Sequence, residues 1–117
     1  DNCVPVKHFP MVEYYSAFDF CISAAGFNSA EAVHAGLPTI WVPLGFLATD
    51  QEFNADRFAN ADLGVKVAPL DTEALKKAIE AMRDAKYRQA MQTRMQDWAG
   101  LNGAELAAKS ILDLASS

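Results

Sequence analysis

Short apolar runs alternate with longer, partly polar segments over the first 70 residues of the chain. The apolar runs are rich in β-branched residues, as buried strands are, and the segments between them have the spacing of helices. Strands that alternate with helices form parallel sheets with right-handed crossovers. The pattern predicts strands at residues 3–9, 20–23, 39–42 and 65–67, and helices at 11–17, 29–35 and 51–60.

Beyond Pro69 the pattern changes to helices alone. Asp71 or Thr72 can cap the first of them, and Gly100 and Gly103 bracket a break before the last. Apolar residues recur at helical spacing in these helices, and core packing explains the stripe between residues 75 and 98. They are Leu75, Ile79 and Met82, then Tyr87, Met91, Met95 and Trp98, and finally Ala107, Ile111 and Leu114.

The length of 117 residues and the 51% hydrophobic composition fit one domain with its own core. The prediction is an α/β fold, a Rossmann-like parallel sheet flanked by helices, with additional C-terminal helices, over residues 1–117. A doubly wound sheet usually has about five strands, whereas this pattern supplies four. We therefore expect the chain to be part of a larger protein.

Charge and composition exclude several classes of partner. The net charge is −5, and the basic residues before residue 71 are Lys7, Arg57 and Lys66, so nucleic acid and anionic membranes are poor partners. No apolar run approaches the ~20 residues of a membrane span, and no signal peptide is evident. We expect a cytoplasmic protein that does not insert directly into a membrane.

The cysteines and histidines do not predict a metal site. Cys3 and Cys21 lie far apart without the spacing of a zinc or redox motif, so we expect reduced packing residues. His34 lies within a predicted helix, and no second ligand stands at a suitable distance in sequence. We expect no metal and no cofactor.

Ala25 and Gly26 follow an apolar strand and precede a predicted helix. In a parallel sheet, backbone N–H groups at such a helix start face open space at the carboxyl end of the strand. An anion can bind there without a lysine. A second polar group, Asp50-Gln51, follows the next predicted strand.

Ordered motifs between residues 26 and 55 resemble the donor-binding signature of glycosyltransferases with the two-domain GT-B architecture. UDP-glycosyltransferases carry H-C-G-W-N-S-x-x-E, then G-x-P, then D-Q. The lipid-linked peptidoglycan N-acetylglucosaminyltransferase, of the family 28 C-terminal type, carries a looser version. The motifs here are Gly26-Phe27-Asn28-Ser29, Glu31, Gly36-Leu37-Pro38, Val42-Pro43, and Asp50-Gln51 with Asn54-Ala55.

The resemblance implies that Gly26, Asn28 and Ser29 bind the diphosphate at the helix start, where the dipole offers about half a positive charge. The alternative is that Asn28 or Ser29 is only an N-cap, worth about 1 kcal/mol to the helix. The family histidine that faces the phosphates would fall at Ala24, so that contact is missing here.

Glu31 resembles the family acid that binds the ribose hydroxyls, because a carboxylate accepts two hydroxyl donors. Counted from Gly26, it comes one residue earlier than in the family, and one residue turns a helix by ~100°. Either the turn is shorter or Glu31 is displaced. Asn28 and Glu31 also have the spacing of a capping box, which is the alternative role.

Asp50 and Gln51 resemble the pair that binds hydroxyls of the donor sugar, and Asn54 lies one helical turn beyond Asp50. The alternative for Asp50 is an N-cap. The resemblance also implies that Phe9 stacks on the uracil ring and that the segment up to Met11 contacts its edges. Core packing is the alternative for Phe9 and Met11.

The resemblance implies the UDP-sugar-binding, C-terminal part of an inverting, metal-independent glycosyltransferase. Its partners would be the UDP-sugar donor and an N-terminal acceptor domain or partner chain. No catalytic residue is assigned, since the general base of inverting members belongs to the other domain, and the chain alone is expected to be inactive. The alternatives are a non-catalytic Rossmann-like binding or assembly module and a nucleotide-sugar epimerase-like domain.

Overall fold

Three short parallel strands, in the order β1-β2-β3, form the sheet in the described part of the chain. The computed structural model describes residues 2–8, 10–45, 49–99 and 102–117. The strands are β1 (Cys21–Ser23), β2 (Thr39–Trp41) and β3 (Val65–Lys66). The helices are a 3₁₀ helix, η1 (Met11–Ala17), and α1 (Ser29–His34), α2 (Thr49–Asn60), α3 (Thr72–Met82), α4 (Ala85–Trp98) and α5 (Gly103–Ala115).

The predicted Rossmann-like fold is confirmed, since α1 and α2 connect successive parallel strands and further helices follow the sheet. Each of the three strands lies within its predicted range, and α1 and α2 begin and end within two residues of prediction. The predicted cap of α3 also forms, because the Asp71 carboxylate accepts a hydrogen bond from the Ala74 amide at 3.0 Å. Local pattern was sufficient for these elements.

The predicted strand at residues 3–9 is wrong. Residues 2–8 form no regular structure, and Phe9 lies outside the described residues. Val4 and Val6 are 81% and 65% exposed. A strand is stabilised by ladder hydrogen bonds to a neighbour, and within the described residues nothing pairs with the outer edge of β1. Residues 2–8 do not pair with that edge, so their apolar alternation does not produce a strand.

The core is centred on a row of aromatic side chains. Trp41 of β2 is fully buried, with its ring centroid 5.2 Å from that of Phe58 in α2. The ring centroids of Phe58 and of Trp98 in α4 are 5.7 Å apart, and the two rings pack edge to face. Gly64 makes room for the indole, because a Cβ at that position would overlap Trp41 Nε1. These contacts fix α2 and the end of α4 on one face of the sheet.

The methionines of the C-terminal helices complete the core. Met82, Met91 and Met95 are buried, which confirms that the apolar spacing of α3 and α4 serves packing. α5 differs, because its residues are exposed throughout. No helix within the described ranges is both long and apolar enough to cross a membrane.

The helices α1 and α2 end in the same hydrogen-bonded turn, with a residue in the left-handed region just beyond the helix. In α1 that residue is Gly36, with φ of 69°, and in α2 it is Asp62, with φ of 55°. The paired bonds run from Leu37 N to Ala32 O (2.9 Å) and Gly36 N to Val33 O (3.0 Å), and from Leu63 N to Phe58 O (2.9 Å) and Asp62 N to Ala59 O (3.0 Å).

Exchanging the residue type at these two turns is expected to change stability in opposite directions. Gly36→Ala should lower the free energy of unfolding by about 1 kcal/mol, since a left-handed conformation costs an L-residue about that much. No atom lies within 4 Å of the added Cβ, so backbone strain alone is measured. Asp62→Gly should raise stability by up to ~1 kcal/mol. Urea unfolding of both variants tests this, and a shift of the same sign in both would contradict it.

Candidate functional site

The candidate site lies where β1 and β2 end side by side. Their parallel register pairs Ser23 with Trp41, so the loops that follow both strands leave the same edge of the sheet. In the first loop the left-handed residue is Ala25, with φ of 59°, and not the glycine that follows it. Gly26 lies beside Gln51, since a Cβ on Gly26 would be 3.7 Å from Gln51 Nε2, an ordinary van der Waals distance.

Ser29 is held inside the β1–α1 turn. Its side chain is buried, its Oγ donates to Gly26 O at 2.7 Å, and its amide donates to the same carbonyl at 3.1 Å. Asn28 occupies the N-cap position of α1 but makes no side-chain cap bond, so neither residue caps the helix through its side chain. The Asn28 side chain is exposed beside the turn.

Several backbone N–H groups of this turn are left without an acceptor in the described part of the chain. They follow the left-handed residue and include the first amides of α1, a helix of only six residues. Three of these amides are consecutive, and successive unpaired backbone donors suit an anion. The unpaired amides belong to Gly26, Phe27, Asn28, Ala30 and Glu31.

Gln51 connects the two loops. Its Oε1 accepts a hydrogen bond from the Leu44 amide at 2.8 Å, just beyond β2. Its Nε2 points toward Gly26 and has no acceptor among the described residues. The side chain is half-buried and turned toward the strand ends rather than away from them. One amide donor therefore remains available beside the β1–α1 turn.

The other two polar residues of α2 lie in different surroundings. Asp50 is exposed and is the second residue of α2, which begins at Thr49, so it is not the N-cap. Asn54 is half-buried, and its Nδ2 donates to the Ala25 carbonyl at 3.0 Å. The expected contacts of both residues with a sugar remain predictions.

Glu31 faces a groove of about 380 Å³ on the outer side of α1. Burial of the Tyr15 hydroxyl and the nearby charge of Glu31 raise the pKa of that phenol. The Glu31 carboxylate makes no hydrogen bond to a described residue, so the capping box with Asn28 does not form. The groove is lined by Val12, Ala30, Glu31, His34, Ala35, Trp98 and Ala99.

The two residues expected at the nucleobase are only partly accounted for. Met11 is the first residue of η1 and is half-buried, so it adjoins Val12 at the groove. Phe9 lies outside the described residues, and its stacking role stays a prediction.

A match to a family model identifies the family of the chain. The model of the glycosyltransferase family 28 C-terminal domain matches residues 2–111. The chain belongs to this family. The resemblance predicted from the sequence is thereby confirmed, and it gives the domain a donor-binding role in a glycosyltransferase. A comparison with curated proteins returned no match.

The family 28 domain also contains an ionic cluster that sequence reasoning missed. Lys66 of β3 lies 2.6 Å from the Glu52 carboxylate and 2.7 Å from that of Asp56. Its hydrogen bonds to Asp56 and Glu52 raise the pKa of the amine. Glu52 also leans over Gly45, where a Cβ would meet its side chain at 2.8 Å. The sequence signal for this cluster was the spacing of Glu52 and Asp56, which lie one helical turn apart in α2.

The family 28 domain shows no cluster of three metal-ligating residues in the ranges that the structure describes. His34 is exposed at the groove, as expected for a residue on the outer face of α1. Cys21 donates to or accepts from Thr39 Oγ1 at 3.2 Å, and burial raises the pKa of its thiol. Cys21 thus behaves as the packing residue that was predicted.

Replacing Ser29 is expected to weaken the β1–α1 turn. Ser29→Ala should lower the free energy of unfolding by about 1 kcal/mol, because a buried hydrogen bond to Gly26 is lost. Ser110→Ala is the matched control, since that hydroxyl donates to a helix carbonyl, Leu106 O, at 2.9 Å but is exposed. Urea unfolding should show a larger loss of stability for Ser29→Ala than for Ser110→Ala. An equal loss in both variants would show that the buried Ser29 bond stabilises the protein no more than an exposed one.

Proposed function

We propose that this domain binds the UDP-sugar donor of an inverting, metal-independent glycosyltransferase. An N-terminal domain or a partner chain would hold the acceptor. Family membership supports the donor-binding part of the proposal. The observation that carries it to particular residues is the placement of Gln51 between Leu44 and Gly26, where the loops of two parallel strands meet.

The diphosphate is assigned to the β1–α1 turn formed by Gly26, Asn28 and Ser29. The amides of Gly26 and Asn28 would donate to it, whereas the amide and hydroxyl of Ser29 donate to Gly26 O and hold the turn. The unpaired amides of this turn supply hydrogen-bond donors in a fixed arrangement, and such donors stabilise a developing negative charge without reorganising. The position of the family histidine holds Ala24. Peptide groups, rather than a charged side chain, would therefore neutralise the leaving nucleotide.

The nucleoside is assigned to the groove between η1 and α1. The Glu31 carboxylate is exposed there and can accept hydrogen bonds from both hydroxyls of a ribose. A ribose on Glu31 brings the base toward Val12 and the adjoining Met11, and so toward the segment that contains Phe9. Counted from Gly26, Glu31 comes one residue earlier than in the family, and the groove on which it lies is a surface that this nucleoside would reach.

The donor sugar is assigned to Asp50 and Gln51, with Asn54 one helical turn later. The Oε1 of Gln51 is occupied by the Leu44 amide, so its Nε2 is the group that would donate to a sugar hydroxyl. Asp50 is exposed in the first turn of α2 and can accept from a neighbouring hydroxyl. A donor beside an acceptor suits adjacent hydroxyls of a ring.

The proposal leaves proton transfer to the other half of the enzyme. A general base must lie within hydrogen-bond reach of the acceptor hydroxyl, which is held across the cleft from the donor. Transfer also requires donor and acceptor in reacting geometry, so this domain alone would bind donor without turnover. A cytoplasmic location remains part of the proposal and rests on the sequence.

Gln51→Ala is expected to separate sugar binding from nucleotide binding. In the full-length protein, affinity for UDP-sugar should fall about tenfold, as loss of one or two hydrogen bonds predicts. Affinity for UDP should change less than about threefold, because its contacts lie elsewhere. Titration calorimetry measures both constants.

Gln96→Ala on α4 is the matched control, since this glutamine is exposed and remote from the strand ends. It should leave both affinities unchanged. An intact protein that binds a protein partner but no UDP would refute donor binding and favour a non-catalytic assembly module.

Metal independence gives a separate test. If peptide amides neutralise the diphosphate, a chelator should change the affinity for UDP less than about twofold, because no ion is removed from the site. Calorimetry with and without EDTA measures this. A loss of binding that added Mg²⁺ restores would contradict the metal-independent form of the proposal while leaving donor binding intact.

A further inference from the structure

The β1–α1 turn contains a residue in an unfavourable conformation. Ala25 has φ of 59° and is fully buried. For a residue other than glycine the left-handed region is strained, and such a conformation persists only where the surroundings hold it. Something outside the local sequence is therefore needed to keep Ala25 in place.

Asn54 supplies that restraint. Its Nδ2 donates to the Ala25 carbonyl at 3.0 Å across 29 positions of sequence. Within the described residues, no other side chain from outside the turn bonds to the backbone of residues 24–28. In the described part of the chain, the hydrogen bond from Asn54 is thus the side-chain bond that links the strained residue to α2.

The same helix holds the loop after β2. Gln51, three positions before Asn54, accepts the Leu44 amide. Side chains on one face of α2 therefore form hydrogen bonds to both loops that follow β1 and β2. Gly26, immediately after Ala25, is the residue that Gln51 Nε2 approaches. A shift at Ala25 would move Gly26 and the unpaired amides relative to Gln51.

We propose that Asn54 is a positioning residue for the donor site. By holding Ala25 in the left-handed conformation, it sets the amides of the β1–α1 turn, which would bind the diphosphate, at a fixed distance from Gln51 Nε2, which would bind the sugar. This inference rests on the proposed donor binding, but it assigns Asn54 a role through Ala25 that does not depend on contact with the sugar.

Glycine at position 25 provides the decisive test. It adopts positive φ as readily as negative φ, so in an Ala25→Gly background the turn should keep its shape without the Asn54 bond. UDP and UDP-sugar affinities of the full-length protein are measured by calorimetry for Asn54→Ala, Ala25→Gly and the double variant. Asn60→Ala, an exposed asparagine at the end of α2, is the matched control.

Asn54→Ala should weaken both ligands about tenfold, and the double variant should return to within about threefold of the original affinity, since coupled residues are not additive. Asn54→Asp should be as weak as Asn54→Ala, because a carboxylate cannot donate to the Ala25 carbonyl. Two results would overturn the positioning role in favour of direct contact with the sugar. One is an equal loss of affinity from Asn54→Ala in the original and the Ala25→Gly backgrounds. The other is a loss of affinity for UDP-sugar alone that Asn54→Asp restores.

A measurement without ligand separates this inference from donor binding itself. The Ser29 amide donates to Gly26 O inside the turn, so its hydrogen exchange reports whether the turn is formed. Asn54→Ala should speed that exchange at least about tenfold by favouring local opening, and Ala25→Gly should reverse the effect. Unchanged exchange would overturn the inference even if UDP binds. If the unaltered protein does not bind UDP, but Ala25→Gly still reverses the effect of Asn54→Ala on the exchange of the Ser29 amide, only the donor-binding proposal would be refuted.

Discussion

The parallel register of β1 and β2 is the constraint on which the rest of the site depends. It brings the ends of both strands to one edge, so loops separated by a whole helix in sequence become neighbours. Gln51 then lies within reach of Leu44 and Gly26 at once. A shift of register by one residue would turn the flanking side chains to opposite faces of the sheet and separate these groups.

Aromatic contacts and ion pairs together fix the orientation of α2. Phe58 packs between Trp41 and Trp98 and holds the buried face of the helix against β2. Lys66 pairs with Glu52 and Asp56 beside β3. A part-exposed ion pair contributes little to the free energy of unfolding by itself. Together, the ion pairs and the aromatic contacts hold α2 in its position on the sheet. Site geometry is therefore a consequence of core packing.

Local pattern predicted most elements because their causes are local. Apolar runs marked β1, β2 and β3, and Asp71 marked the start of α3 through a cap that does form. The segment at residues 3–9 failed for a non-local reason. Its alternation fits a strand, but residues 2–8 make no ladder with the outer edge of β1. Whether such pairing forms depends on contacts that the local pattern does not report.

The candidate site divides in the same way. The residue types Gly26, Asn28, Asp50 and Gln51 and their order were readable in sequence, and they carried the resemblance to the family. Sequence could not show that the strained residue is Ala25 or that Asn54 bonds to it, because their contact spans 29 positions. It also could not place Glu31 in the groove beside Val12, since that depends on how η1 packs on α1.

The sequence by itself determined the kinds of element, their order and the chemistry offered by each loop, because these follow from periodicity and side-chain type. Tertiary structure alone decided which of those groups meet. The hydrogen bonds from Asn54 to the Ala25 carbonyl and from the Leu44 amide to Gln51 require α2 to lie over the strands, where Trp41 and Phe58 are buried. The physical reason is that packing is collective, whereas a sequence pattern reports each segment separately.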